Sequence, residues 1–277
     1  MKKLGALILL AFASACGNEV PENYGKVETI LYLGEGDNQP LLVGLGGSEG
    51  GNAWTSDRWK AKRDEFIDKG YAFLAVGYFG AKDTPEVLDR ISIDALYKAI
   101  IDVSTNPKID GNRIALIGGS KGAELALLLA SYYPDITGVI ALVPSYCSFP
   151  ALTLTASTSS WTYKGEEVPY VPMPWAAVPS AIKQDLRSAF SIMLEDKEEV
   201  EKALIKVENI NGPILLLSAK NDEMWPSTEM SNEVVARLQQ KGFEYPYQHI
   251  AIDGGHTDVV DHFDTVFKFL EENFPSK

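Results

Sequence analysis

The chain has 277 residues, 45% of them hydrophobic and 23% charged; that is enough apolar side chain for a large buried core, and it excludes a disordered, collagen-like or coiled-coil protein. Lys and Arg number 25 against 38 Asp and Glu, a formal charge of −13, and an acidic surface of this kind repels phosphate backbones, which argues against nucleic acid as a partner. Two cysteines cannot build a disulfide framework.

Lys2 and Lys3 precede an apolar run over residues 4–13. This run is too short to cross a bilayer as a helix but suits the core of a signal peptide. Small residues ahead of Cys16 resemble a bacterial lipoprotein signal. The resemblance implies removal of residues 1–15, lipid on Cys16, and a place in the bacterial cell envelope, anchored in the membrane by that lipid alone and facing the periplasm or the exterior. A simple secretory signal and a buried cytosolic helix are the alternatives. Cys147 then has no partner and reads as a buried thiol behaving as a small hydrophobe. Residues 16–25 are polar and aperiodic, which predicts a tether ahead of a domain over 26–277.

Runs rich in β-branched and aromatic residues predict strands at 27–33, 41–45, 71–76, 113–117, 136–143, 213–218 and 247–252. Apolar spacing of three and four predicts helices at 86–103, 121–133, 228–240 and 258–273. Strands that alternate with helices and read as nearly continuous apolar runs imply an α/β domain, its mainly parallel sheet covered on both faces. The rhythm breaks over about 144–209, a Pro- and Ser/Thr-rich stretch with an acidic helix around 194–207. An irregular insertion of that length predicts a cap over a functional site.

The strand at 113–117 runs into Gly118-Gly119-Ser120-Lys121-Gly122, and a helix follows at once. G-x-S-x-G between strand and helix is the spacing of a nucleophile elbow, a turn so sharp that its flanking residues must lack bulk. Such a turn lifts the Ser120 hydroxyl above the sheet and aims the Lys121 backbone N–H at any negative charge formed there. A serine needs a base, and the base an orienting acid. Of the three histidines, His249 falls within a strand and His262 on the last helix, whereas His256 sits in the loop after the last strand. Asp222 occupies the equivalent loop after the preceding strand, with Glu223 its neighbouring competitor. Ser120, Asp222 and His256 follow the chain order that the elbow geometry expects. The second oxyanion donor is expected from Gly46-Gly47-Ser48-Glu49-Gly50-Gly51, with the amide of Gly47 or Ser48 as candidates. His256, Asp258, Asp261, His262 and Asp264 lie close in sequence, but acidic residues in a first helical turn are expected from the helix dipole alone, so no metal site is assigned.

The segments GYFGAKDTPEVLDRISIDAL, IGGSKGAELALLLAS, WTYKGEEVPYVP, SAKNDEMWPS and GGHT resemble the C-terminal catalytic domain shared by acyl-CoA thioesterases and bile acid-CoA:amino acid N-acyltransferases, across about residues 41–274. The resemblance implies an α/β-hydrolase fold with Ser120 as nucleophile, Asp222 as acid and His256 as base, acting on a small acyl ester or thioester without a cofactor. The acyltransferases of that family use cysteine as nucleophile, so a serine favours hydrolysis. A peptidase of prolyl-oligopeptidase type and a non-catalytic ligand-binding lipoprotein are the competing readings.

Overall fold

The computed structural model describes residues 20–276. The predicted lipid-anchor segment, with Cys16, lies outside them. Seven strands form the main sheet: β1 (Glu28–Tyr32), β2 (Gln39–Leu45), β3 (Ala72–Gly77), β5 (Ile109–Gly119), β6 (Gly138–Leu142), β9 (Ile214–Ala219) and β10 (Tyr247–Ile252), with β4 (Ile91–Ser92), β7 (Trp161–Tyr163) and β8 (Glu166–Glu167) in a small second sheet. The order across the main sheet is β1-β3-β2-β5-β6-β9-β10, and every pairing is parallel except β1 with β3. This is the mainly parallel α/β-hydrolase architecture that the sequence predicts.

Alternation along the strands assigns the two faces. In β2, Leu41, Val43 and Leu45 join a core formed with α2 (Ile93–Ser104), α3 (Lys121–Tyr132) and α7 (Ser227–Gln240). Leu42, between them, points to the opposite core, with Phe66 of α1 (Asp57–Asp68) and Phe263, Val266 and Leu270 of α8 (Phe263–Asn273). A period of two in a strand covered on both sides requires both cores to be apolar, which is why β2 is buried throughout.

The structure departs from these expectations at several elements. Helix α1 is absent from the sequence reading because its core-facing position 63 is an arginine; Arg63 is buried, donates to the Trp54 carbonyl at 2.6 Å and stacks over Tyr32. The helix expected over 86–103 begins only at Ile93, because the amides of Arg90 and Ile91 bond the carbonyls of Ser159 and Ser160 in the insertion; Ser92 caps the helix by accepting from Ala95 N–H. The helix expected from Asp258 starts as a 3₁₀ turn, Asp258–His262, before α8. Asp258, Asp261 and His262 therefore do not share an α-helical face, and no group of three metal-ligating side chains occurs among the described residues. Tyr24, within the predicted tether, hydrogen-bonds Thr162 through its hydroxyl.

The insertion between β6 and β9 carries β7, β8 and three short helices, α4 (Val178–Ile182), α5 (Leu186–Met193) and α6 (Lys197–Ala203). The acidic helix expected over 194–207 is thus shorter, capped at Asp196, whose side chain accepts from Glu199 N–H. A separate core of Phe149, Val171, Ala189, Met193, Val200 and Trp225 holds the insertion together and seats it on the loop after β9.

Candidate active site

Strand β5 ends at Gly119 and α3 begins at Lys121, leaving Ser120 as a one-residue hinge with φ 56° and ψ −122°. A residue with a Cβ is strained in that region, and the strain is held by the packing on either side. The flanking glycines have steric causes. A Cβ on Gly118 would lie 2.2 Å from the Gly122 carbonyl oxygen, and one on Gly122 would lie 2.3 Å from the carbonyl oxygen of Gly46. Gly119 has no such constraint, since a Cβ there would meet nothing nearer than Leu142 at 4.0 Å. The Gly122 contact does more than permit the turn: it seats the elbow against the loop after β2.

That loop is the expected donor loop. Gly47 sits beside the elbow, since a Cβ built on it would lie 3.4 Å from the Ser120 Cβ. Ser48 and Ser120 line one cavity. The Lys121 amide is the first of α3, where N–H groups have no acceptor within the helix. The carboxylate of Glu49 folds back over Gly47.

Strands β9 and β10 are neighbours, so the loops that follow them meet. His256 Nδ1 and Asp222 Oδ1 are 2.8 Å apart, with Asp222 fully buried and His256 9% exposed. The same Asp222 oxygen accepts from the amides of Met224 at 2.9 Å and Trp225 at 3.2 Å. Burial works against ionisation of Asp222, but the hydrogen bond and charge of His256, helped by the Trp225 amide, outweigh it and hold the carboxyl below the ordinary aspartate range. An ionised Asp222 fixes the proton on Nδ1 and leaves Nε2 as the acceptor nitrogen. The Trp225 ring stands edge-on to the imidazole, 6.0 Å away. Ser120 and His256 line one cavity of about 370 Å³, and Ser120 Oγ makes no hydrogen bond among the described residues.

Glu223 is turned away from the imidazole; its carboxylate accepts the backbone N–H of His256 at 2.9 Å and so holds the loop that carries the ring. His249 lies in β10 with Nε2 2.8 Å from Ser218 Oγ, and burial pushes its pKa down. His262 is exposed.

Two supports have no signature in the sequence. Arg187, on α5, donates to the Asp222 carbonyl oxygen at 2.7 Å and pairs with Glu229, tying the insertion to the loop that carries Asp222. Glu124, one turn after Ser120 and fully buried, accepts from Lys121 Nζ at 2.8 and 2.9 Å and from Trp161 Nε1 at 2.7 Å, with Phe149 N–H and Ser145 Oγ completing the shell. The glutamate therefore binds the helix of the elbow to two points of the insertion. Cys147 is buried nearby as a free thiol, and burial pushes its pKa well up.

Comparison with solved structures agrees with the topology. An acylaminoacyl peptidase of Pyrococcus horikoshii superposes with a TM-score of 0.62 at 16% identity, covering 90% of this chain and 40% of the other. An acetyl xylan esterase from Paenibacillus sp. R4 superposes with a TM-score of 0.58 at 17% identity, covering 90% and 80%. Among curated sequences, acyl-coenzyme A thioesterase 1 of Rattus norvegicus is 28% identical over 238 residues, 86% of this chain and 53% of the relative. Acyl-coenzyme A thioesterase 6 of Mus musculus is 29% identical over the same length and shares. The chain thus spans about half the length of the curated relatives it matches. The profile described as "BAAT / Acyl-CoA thioester hydrolase C terminal" matches residues 92–259, more than half of the chain and the stretch that holds Ser120, Asp222 and His256. With fold, elbow and profile in agreement, this chain belongs to the BAAT / acyl-CoA thioester hydrolase C-terminal family.

Proposed function

We propose that the protein is a serine hydrolase of carboxylic thioesters or esters, working through an acyl-enzyme with Ser120, His256 and Asp222 as its triad. The observation that carries the reading is a serine held at positive φ on a strand-to-helix elbow, facing the same cavity as an imidazole whose far nitrogen is already engaged by a buried carboxylate. Ser120 Oγ attacks the carbonyl carbon while its proton passes to His256 Nε2, and the resulting imidazolium is stabilised by Asp222. The tetrahedral oxyanion is met by the Lys121 N–H and by that of Gly47 or Ser48. Collapse breaks the bond to the leaving oxygen or sulfur, which takes the proton from His256. Water then attacks the acyl-enzyme, giving its proton to the same nitrogen, and the acid departs as Ser120 recovers its hydrogen.

The proton transfer requires Ser120 Oγ and His256 Nε2 to come within hydrogen-bond reach in the substrate complex, in keeping with the loose catalytic hydrogen bonds common in unliganded sites. Removing the nucleophile or base of such a unit lowers kcat by several powers of ten. Ser120→Ala and His256→Ala are each expected to abolish p-nitrophenol release from short-chain esters, and a fluorophosphonate probe is expected to label Ser120 in the native protein. Full turnover in either variant would overturn the assignment.

Placement in the cell is proposed from the sequence alone: lipid on Cys16 anchors the domain to the envelope, facing the periplasm or the exterior. Mass spectrometry of the N-terminal peptide from the native host tests this. An unmodified Cys16, or a protein released in soluble form with its first residues intact, refutes it.

A further inference from the structure

Two cavities meet at Ser120, and the base lies on only one of them. The first, of about 370 Å³, is the one lined by His256, with Trp59 and Glu223 on its walls. The second, of about 400 Å³, runs beneath the cap between Phe149, Phe190 and Met193. Ser120 and Ser48 line both. In acyl transfer the leaving atom must take its proton from the base, so the leaving group has to lie on the base's side of the carbonyl carbon. The acyl chain, bonded to the same carbon, is then directed into the other cavity.

Resting on the triad proposed above, the geometry points to the cap cavity as the acyl site, selecting an uncharged, apolar acyl chain over a short or charged one. Its walls are apolar apart from a few backbone and hydroxyl groups, and Lys121 is its one charged lining residue among those described. That ammonium is engaged by Glu124 at 2.8 Å and is 4% exposed, so it is not free to receive an anionic ligand. Leu152 lines the cavity and is also 45% exposed, which makes the mouth apolar as well. At about 400 Å³ the cavity has room for an acyl chain of several carbons beneath the cap.

The walls also name residues that shape the chain's path. Ala189 and Phe190 are adjacent on α5 and both line the cavity. A phenyl group at 189 would occupy space that the chain needs, whereas removal of the ring at 190 would extend it. The test is a series of p-nitrophenyl esters from two to sixteen carbons, read as kcat/KM for the ten-carbon ester over that for the acetate, a ratio that cancels any loss of folded enzyme. The native protein is expected to favour the ten-carbon ester over the acetate at least tenfold. Ala189→Phe is expected to lower the ratio at least tenfold, and Phe190→Ala to shift the preference toward longer chains. A fluorophosphonate-labelled Ser120 with a flat chain-length profile, or a ratio unmoved in both variants, overturns the acyl assignment and leaves the triad standing. A native protein that takes no label and cleaves no ester of the series overturns both.

Discussion

Replacing Glu124 with leucine removes the acceptor for four donors at once, and the structure separates this loss from that of its partner. In Glu124→Leu the Lys121 ammonium stays buried with one acceptor left, the Phe149 carbonyl at 3.4 Å, while Trp161 Nε1 loses its 2.7 Å bond. Stripping a buried ion of its partner costs about 3–5 kcal/mol, and an orphaned buried N–H adds about 1–3 kcal/mol. In Lys121→Met the carboxylate keeps Trp161 Nε1, Phe149 N–H and Ser145 Oγ, so the same pair is broken with three donors still in place. The leucine variant should therefore be less stable than the methionine variant by about 2 kcal/mol, roughly the orphaned-donor cost. Urea unfolding followed by tryptophan fluorescence and by circular dichroism measures both, and coincident transitions license the comparison. Equal losses, or a larger loss in Lys121→Met, would refute the claim that Glu124 is the hub and Lys121 one spoke.

Three further outcomes follow from the geometry. Gly118→Ala and Gly122→Ala should each cost stability and nearly all esterase activity, because their methyl groups would meet backbone oxygens at 2.2 and 2.3 Å, whereas Gly119→Ala should fold normally; thermal melts and ester assays on the three distinguish them. The native state keeps His249 neutral, so the unfolded chain binds the extra proton below its ordinary pKa of about 6.5; stability should fall as pH drops below that value, and His249→Gln should lack this decline in pH-dependent unfolding. Glu49→Gln should raise kcat, because the carboxylate folded over Gly47 places negative charge beside the amides that meet the oxyanion; an unchanged or lowered kcat, with the fold intact, counts against that position for the oxyanion site.

The parts of the molecule legible in the sequence are those governed by local sterics or by a strict period. The elbow is readable because two glycines at fixed offsets from Ser120 answer to contacts of little more than 2 Å. The inner strands are readable because both of their faces are apolar, and Asp222 because it follows the end of such a strand, whereas β10 ahead of His256 is legible by its β-branched and aromatic residues although its side chains are only partly covered. What escapes depends on contacts made far along the chain. Arg63 disguises α1 by turning a charged group inward to the Trp54 carbonyl and the ring of Tyr32. Residues 86–92 have a helical apolar pattern that pairing with Ser159 and Ser160 overrides. Glu124 looks like an ordinary first-turn acid until Trp161, 37 positions later, reaches it. Glu223, a competitor for the acid's place on sequence grounds, differs from Asp222 only in the direction its side chain takes from the loop, and that direction assigns it to the amide of His256 instead of the ring.

The seating of the three candidate residues across the sheet has a mechanical consequence. Ser120 follows the central strand β5, while His256 follows β10, which is paired on one side only and bears half-exposed side chains along most of its length. Border strands detach at lower free energy than the middle of a sheet. A brief fraying of β10 would withdraw the imidazole from both serine and carboxylate while the apolar layers on either side of β2 and β5 stayed intact. Turnover would then vanish at denaturant concentrations where the bulk of the domain is still native, and would return at once on dilution, which makes activity a gauge of one border and not of the whole fold.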